Sequence, residues 1–290
     1  MRQLSSIAKT EILLEPLRTR SERLAFLSAY ARVAGTLGVI SNKKRFTLRY
    51  SSIDIKAQLT SILQSALKNA PYRLTKTAFI FDCSAADTLL NTLKIFCADT
   101  GDYAKNIHEH LIKDDTAKLA ALRALFIGAG FVTLSKGYHL EFAFNNGFLA
   151  LDCQNILESN AIFVKKIERG DKTIIYIKGA EMVSDTLALL GATEAMLKLS
   201  DIFAERDASR TINRRLNCDL ANIDKTVTLA AKQIEAIKLL QQNNKFDNLN
   251  QKLKDAATIR LSHPEASLEE LAAIVGISKS GMRHRLNKLV

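Results

Sequence analysis

The chain has 290 residues, 47% of them hydrophobic and 24% charged, with a formal net charge of +11. That length suits about two domains, the composition is that of an ordinary globular protein, and the excess of base suits a polyanionic partner. No uncharged apolar run approaches the roughly 20 residues that span a bilayer; the longest candidate, Ala120 to Val132, is broken by Arg123. The N-terminus alternates charged and apolar residues and lacks a signal-peptide core. Cys83, Cys97, Cys153 and Cys218 are scattered, with no Cys-x-x-Cys and no His/Cys cluster at zinc spacing. They are expected to be reduced and mostly buried thiols. The expectation is a cytoplasmic protein with no membrane partner, no metal and no cofactor.

Taken in order, Ser6 to Leu14 reads as a short amphipathic helix stopped near Pro16. Leu24, Leu27, Ala31 and Ala34 recur at helical spacing, and Gly35 ends that helix. Gly38 to Ile40 and Arg45 to Tyr50 read as a hairpin around Ser41, Asn42, Lys43 and Lys44. A helix from Ile53 to Asn69, a strand from Lys76 to Cys83 and a helix from Ala85 to Phe96 follow.

Residues Lys118 to Phe144 then replay Arg23 to Tyr50: Leu24 matches Leu119, Leu27 matches Leu122 and Gly35 matches Gly130. The second hairpin turns at Ser135, Lys136 and Gly137. A helix (Phe148 to Leu157), the hairpin AIFVKKIE-RGDK-TIIYIKG and a helix (Ala180 to Leu190) complete the second unit. Each unit is thus helix, hairpin, helix, hairpin, helix, and two such units facing each other bury their apolar sheet faces. Ala25, Ala29, Ala34 and Gly35, and Ala121, Ala124, Gly128 and Gly130, let the two leading helices approach closely at a pseudo-two-fold axis.

This pattern resembles the LAGLIDADG homing-endonuclease fold, with LSAYARVAG (Leu27 to Gly35) and LRALFIGAG (Leu122 to Gly130) as the signature segments. The resemblance implies a metal-binding acid just before each final glycine. Ala34 and Ala129 stand there instead, and no Asp or Glu occurs in either segment. A methyl group cannot ligate magnesium, which takes hard oxygen ligands, so no catalytic residue and no nuclease activity are expected. Lys43, Lys44, Arg45 and Arg49 form a candidate secondary basic patch on the sheet. Lys165, Lys166 and Lys172 form another, interrupted by Glu141, Glu168 and Asp171. A solvated sheet face and a protein-docking platform are the alternatives.

From Leu199 the strands stop. Leu199 to Leu216 reads as a bridging helix or linker, and Asp224 to Gln242 as a helix broken by Asn243, Asn244 and Lys245. Leu253 to Leu261 is a short helix ended by Ser262, His263 and Pro264. Ser267 with Glu270 three residues on forms a capping box. Leu268, Leu271, Ala272 and Val275 make one apolar stripe, Gly276 allows the turn, and Ser278 caps a second helix. Met282, Leu286 and Leu289 point inward. The outward side carries Lys279, Ser280, Arg283, His284 and Asn287, flanked by Arg285 and Lys288. Gly276 to Val290 holds four basic residues and no acid, a charge of +4. This is a helix-turn-helix pattern, whose second helix enters the major groove. Ser278, Lys279, Ser280, Arg283, His284, Arg285, Asn287 and Lys288 are therefore the candidate DNA-binding residues. Arg283 is the best candidate for guanine O6 and N7, and Lys288 for phosphate.

The whole chain resembles the WhiA family on NRRLNCDLANIDKT (Asn213 to Thr226), YIKGAEMVSDTLALLGA (Tyr176 to Ala192) and ASLEELAAIVGISKSGMRHRLNKL (Ala266 to Leu289), with the N-terminal part the most diverged. The resemblance implies a DNA-binding regulator of sporulation or of cell division and chromosome segregation, whose endonuclease-like domain does not cleave. Asn217, Asp219 and Asn222 are expected to serve capping and helix–helix bonding. The expected fold class is α+β: a pseudo-two-fold LAGLIDADG-like domain followed by an all-α helix-turn-helix domain. The expected boundaries are 1–20 for an N-terminal helix and 21–195 for the two repeats (about 21–100 and 115–195). A linker or bridging helix over 196–220 and the DNA-binding domain over 221–290 follow. The expected function is sequence-specific, non-enzymatic binding of double-stranded DNA in the nucleoid, acting on transcription or chromosome segregation. The alternatives are an interaction module docking a regulatory protein through the LAGLIDADG-like domain, and an active nuclease.

Overall fold

A computed structural model describes residues 2–40, 43–67, 70–96, 103–135 and 137–290. Ser41 and Asn42 of the first expected turn, Lys136 of the second, and Cys97 lie outside the described residues. The chain forms two compact units, Met1–Ala204 and Glu205–Val290.

The first unit begins with α1 (Arg2–Leu14), which starts a turn before the expected Ser6. Its Leu4, Ala8, Ile12 and Leu13 are buried in the main core, so this helix is part of the first domain and not a separate N-terminal element. The Ser5 hydroxyl donates to the Val132 carbonyl at 3.0 Å and accepts from the Val132 N–H at 2.8 Å, which pins the helix to the second repeat.

Two repeats follow with the same order. The first comprises α2 (Arg20–Ala34), β1 (Gly35–Ile40), β2 (Lys43–Arg49), α3 (Ile53–Ala66), β3 (Arg73–Leu74), β4 (Ala78–Asp82) and α4 (Ser84–Thr92). The second comprises α5 (Asp115–Ala129), β5 (Gly130–Thr133), β6 (His139–Phe144), α6 (Gly147–Ser159), β7 (Lys165–Arg169), β8 (Lys172–Lys178) and α7 (Ala180–Leu190). Each repeat builds one antiparallel four-stranded sheet, in the orders β1-β2-β4-β3 and β5-β6-β8-β7. The short β3, two residues long, precedes the one strand expected in this stretch, Lys76 to Cys83, which is β4. The helix expected over Ala85 to Phe96 ends at Thr92, and Lys94 takes a positive φ of 51° just beyond it.

Alternation puts one face of each sheet inward. Phe46 and Leu48 of β2, and Leu140, Phe142 and Phe144 of β6, are buried. The leading helices α2 and α5 pack against each other, with Ala25, Ala29, Ala121 and Ala124 fully buried. Their contact is tight: a Cβ on Gly128 would lie 2.7 Å from Val33 Cγ1. Each helix passes into its strand with no loop between them. A Cβ on Gly35 would lie 2.2 Å from the Ala31 carbonyl oxygen and 2.3 Å from Phe46 Cζ. At Gly130 it would lie 2.3 Å from Phe126 Cδ2 and 2.6 Å from the Phe126 carbonyl oxygen. Cys153 of α6 is fully buried, and burial raises its thiol pKa well above the ordinary range. Cys83 is half-buried and Cys218 exposed, so of the three described thiols only one meets the expectation of burial.

The expected linker over 196–220 is helical: α8 (Thr193–Gln242) runs unbroken through it and through the expected start at Asp224. The Glu11 carboxylate caps its first turn, accepting from the Glu194 and Ala195 N–H groups at 2.6 and 2.9 Å. Asn217, Asp219 and Asn222 lie exposed in the middle of α8, where they cap no helix. In the second unit, α8 is followed by α9 (Gln251–Ser262), α10 (Leu268–Val275) and α11 (Lys279–Asn287). Ile237, Ala256, Ala257, Leu268, Leu271, Ala272, Met282, Leu286 and Leu289 form its separate core. Among the described residues no helix is long and apolar enough to cross a membrane.

Candidate nucleic-acid interface

Local chemistry fixes the geometry of α10 and α11. The Ser267 hydroxyl accepts from the Glu270 N–H at 3.2 Å, and the Glu270 carboxylate accepts from the Ser267 N–H at 2.7 Å. This reciprocal bond fills two donors that a helix N-terminus leaves open. Gly276 closes α10 at φ 70°, a left-handed conformation that costs glycine little. The Ser278 hydroxyl then caps α11, accepting from the Gly281 N–H at 3.1 Å. Replacing Ser267 with alanine is expected to cost about 1 kcal/mol of stability in the second unit, read from urea unfolding of the full chain. An unchanged midpoint would show that the box is dispensable.

Met282 and Leu286 of α11, with Leu289 just beyond it, point into the core. That leaves Ser278, Lys279, Ser280, Arg283, His284, Asn287 and Lys288 exposed and Arg285 half-buried. The structure thus brings all eight candidate residues onto one helix and its two caps, but not all are free. Ser278 is occupied as the cap and shares a hydrogen bond with the Ser280 hydroxyl at 3.1 Å. Lys279 Nζ lies 2.8 Å from Glu269 Oε2 of α10.

Behind this face lies a residue the sequence did not single out. Arg260 of α9 is only 1% exposed. Its Nε donates to Gln233 Oε1 at 3.0 Å and its Nη1 to the Ala266 carbonyl at 2.6 Å. It thereby ties α8 to the segment that enters α10, and burial lowers its pKa. An arginine in a charged, short helix looks like a surface residue; only the packing reveals it.

Of the candidate secondary basic patch, Lys43, Arg45 and Arg49 alternate onto one face of β2. Lys43 and Arg49 are exposed. Arg45 Nε sits 2.5 Å from Asp82 Oδ1. Lys44, one residue out of phase on the strand, pairs with Asp87 at 3.0 Å and lies 4.0 Å from the centre of the Phe96 ring. On the second sheet Lys166 lies 3.5 Å from Glu168, and Glu141, Tyr176 and Lys165 occupy one cross-strand row. Ala34 and Ala129 end α2 and α5 and pack half-buried against the core. Among the described residues no group of three or more His, Cys, Asp or Glu side chains could hold a metal ion.

Residues 212–290 match the family model described as the WhiA C-terminal HTH domain, and residues 118–209 match the WhiA LAGLIDADG-like domain. A curated relative from Clostridium tetani, named probable cell division protein WhiA, is 33% identical over 302 residues, covering 98% of this chain and 95% of the relative. The chain belongs to the WhiA family. A relative of the same name from Staphylococcus aureus (strain JH9) is 39% identical over 194 residues, covering 65% of this chain and 62% of the relative. The crystal structure of full-length DUF199/WhiA from Thermotoga maritima shares the WhiA fold with a TM-score of 0.55 and 23% identity, covering 98% of this chain and 95% of that one. The two family models leave 1–117 unmatched, yet the first repeat within that part has the same sheet topology as the second repeat.

Proposed function

We propose that this WhiA-family chain binds double-stranded DNA sequence-specifically and without catalysis, and that it regulates transcription, chromosome segregation or both in bacterial cell division from within the cytoplasm, on the nucleoid. The observation that carries the reading is α11. Its apolar side is spent on the core, and its other side presents Arg283, His284, Asn287 and Lys288 to solvent. A helix held this way by a preceding helix and a glycine turn suits the major groove, where an arginine fork reads guanine. The test is genome-wide mapping of bound sites, followed by gel shifts on the recovered sequences. Absence of enriched sites would sink the proposal.

Lys288, near the C-terminal end of α11, suits phosphate and carries no sequence information there. Lys288→Ala is expected to weaken all duplexes alike and to flatten the dependence of log K on log salt by about 0.9. A loss confined to one sequence would reassign Lys288 to base reading.

Ala34 and Ala129 support the non-enzymatic reading, because neither can bring a hard oxygen to magnesium. Incubation of the purified chain with plasmid and magnesium or manganese is expected to leave the plasmid intact. Cutting that co-purifies with the protein would restore the nuclease reading. The ion-paired sheet cations Lys44, Arg45 and Lys166 favour a second role for the first unit, docking a regulatory protein in place of DNA.

A further inference from the structure

We infer that Glu269 limits the grip of the recognition helix on any DNA by withholding the charge of Lys279. The inference rests on the DNA-binding reading above. Lys279 is the first residue of α11, and side chains at this end reach toward the groove in helix-turn-helix docking. Its ammonium lies 2.8 Å from the Glu269 carboxylate, which stands ten residues earlier in the first turn of α10. The neighbouring Glu270 is committed to the capping box; Glu269 has no such task. Both side chains are more than half exposed, 54% for Lys279 and 75% for Glu269. Exposed pairs add little to folding, so the pair is poorly explained as a stabilising device. Lys279 holds the Glu269 carboxyl below its usual range, so the acid is charged at neutral pH.

The consequence follows from counterion release. Each lysine or arginine that replaces condensed cations on DNA steepens the fall of log K with log salt by about 0.9. Four cations stand on this segment, Lys279, Arg283, Arg285 and Lys288. While Glu269 neutralises Lys279, only the other three act as free cations toward phosphate, and Lys279 must give up its carboxylate to bind DNA. The acid itself, on the helix that crosses the DNA backbone, adds repulsion.

The test uses the full chain and a mixed-sequence duplex, with affinity followed by fluorescence anisotropy across a salt series. Glu269→Gln keeps the shape and removes the charge. It is expected to steepen the salt slope by about 0.9 and to raise affinity roughly eightfold near 0.1 M salt. The double variant Glu269→Gln/Lys279→Gln is expected to return the slope to the wild-type value. A Glu269→Gln slope equal to wild type overturns the inference and leaves the DNA-binding reading standing, and a steeper slope that persists in the double variant does the same. Failure of the wild-type chain to bind any duplex at low salt overturns both.

Discussion

Arg283→Ala is expected to lower affinity for the preferred DNA site by about 1–3 kcal/mol and to relax sequence preference at one base pair. Arg283 follows the buried Met282 on α11 and is exposed, so its backbone is anchored by the core while its guanidinium is free to move. Among the described residues no ion pair engages it, in contrast to Lys279. A guanidinium in the major groove can donate to O6 and N7 of guanine together, a geometry that alanine cannot imitate. Much of the loss should fall on the specific complex, since a mixed-sequence duplex offers Arg283 only phosphate. Selection of bound sequences by wild-type and Arg283→Ala proteins, followed by gel-shift titration, checks both statements. Equal affinity and an unchanged site logo would mean that α11 docks in another orientation.

The second large effect belongs to the first unit. Gly35→Ala is expected to destabilise it by about 3 kcal/mol, at the upper end of ordinary overpacking. The added Cβ would sit 2.2 Å from the Ala31 carbonyl oxygen of the preceding helix α2, and that backbone cannot swing aside as a side-chain tip can. It would also meet the Phe46 ring at 2.3 Å, and Phe46 is a buried core residue. Gly130→Ala, the matched position in the second repeat, should behave likewise. Gly38→Ala is the control: it lies in the same strand, β1, with nothing within 4 Å of its would-be Cβ. Urea unfolding of the three variants should separate the first two from the third. Similar midpoints for Gly35→Ala and Gly38→Ala would show that the helix-to-strand junction is softer than its geometry implies.

These glycines also show why the repeat was legible in sequence. Each helix-to-strand junction needs a residue without a side chain, and the alanines packed between α2 and α5 need small partners, so residue size preserved the symmetry when little else did. The helix-turn-helix was equally readable, because a capping box, a left-handed glycine and an inward stripe are local signals. The length of α8 was not. Ile212, Leu216, Leu220, Ile223 and Val227 are all more than half exposed, so no buried face marks the helix between residues 199 and 224 as continuous. Nor could the sequence show that Lys44 and Arg45 lie against Asp87 and Asp82, since those acids come from a later strand and helix. Glu269 and Arg260 were missed for the same reason: the roles of both are set by partners several residues to a whole helix away.

The buried thiol of α6 gives the chain an internal reporter. Cys153 is shielded by packing, and its raised pKa suppresses the reactive thiolate further. A thiol reagent therefore modifies it only when the first unit opens, whereas the exposed Cys218 on α8 reacts from the native state. Pulsed alkylation read by peptide mass would then time the opening of the LAGLIDADG-like unit in the intact protein, with DNA present or absent. No label need be engineered, and any communication between the DNA reader and the unit that lacks the metal-binding acids would register as a change in that one rate.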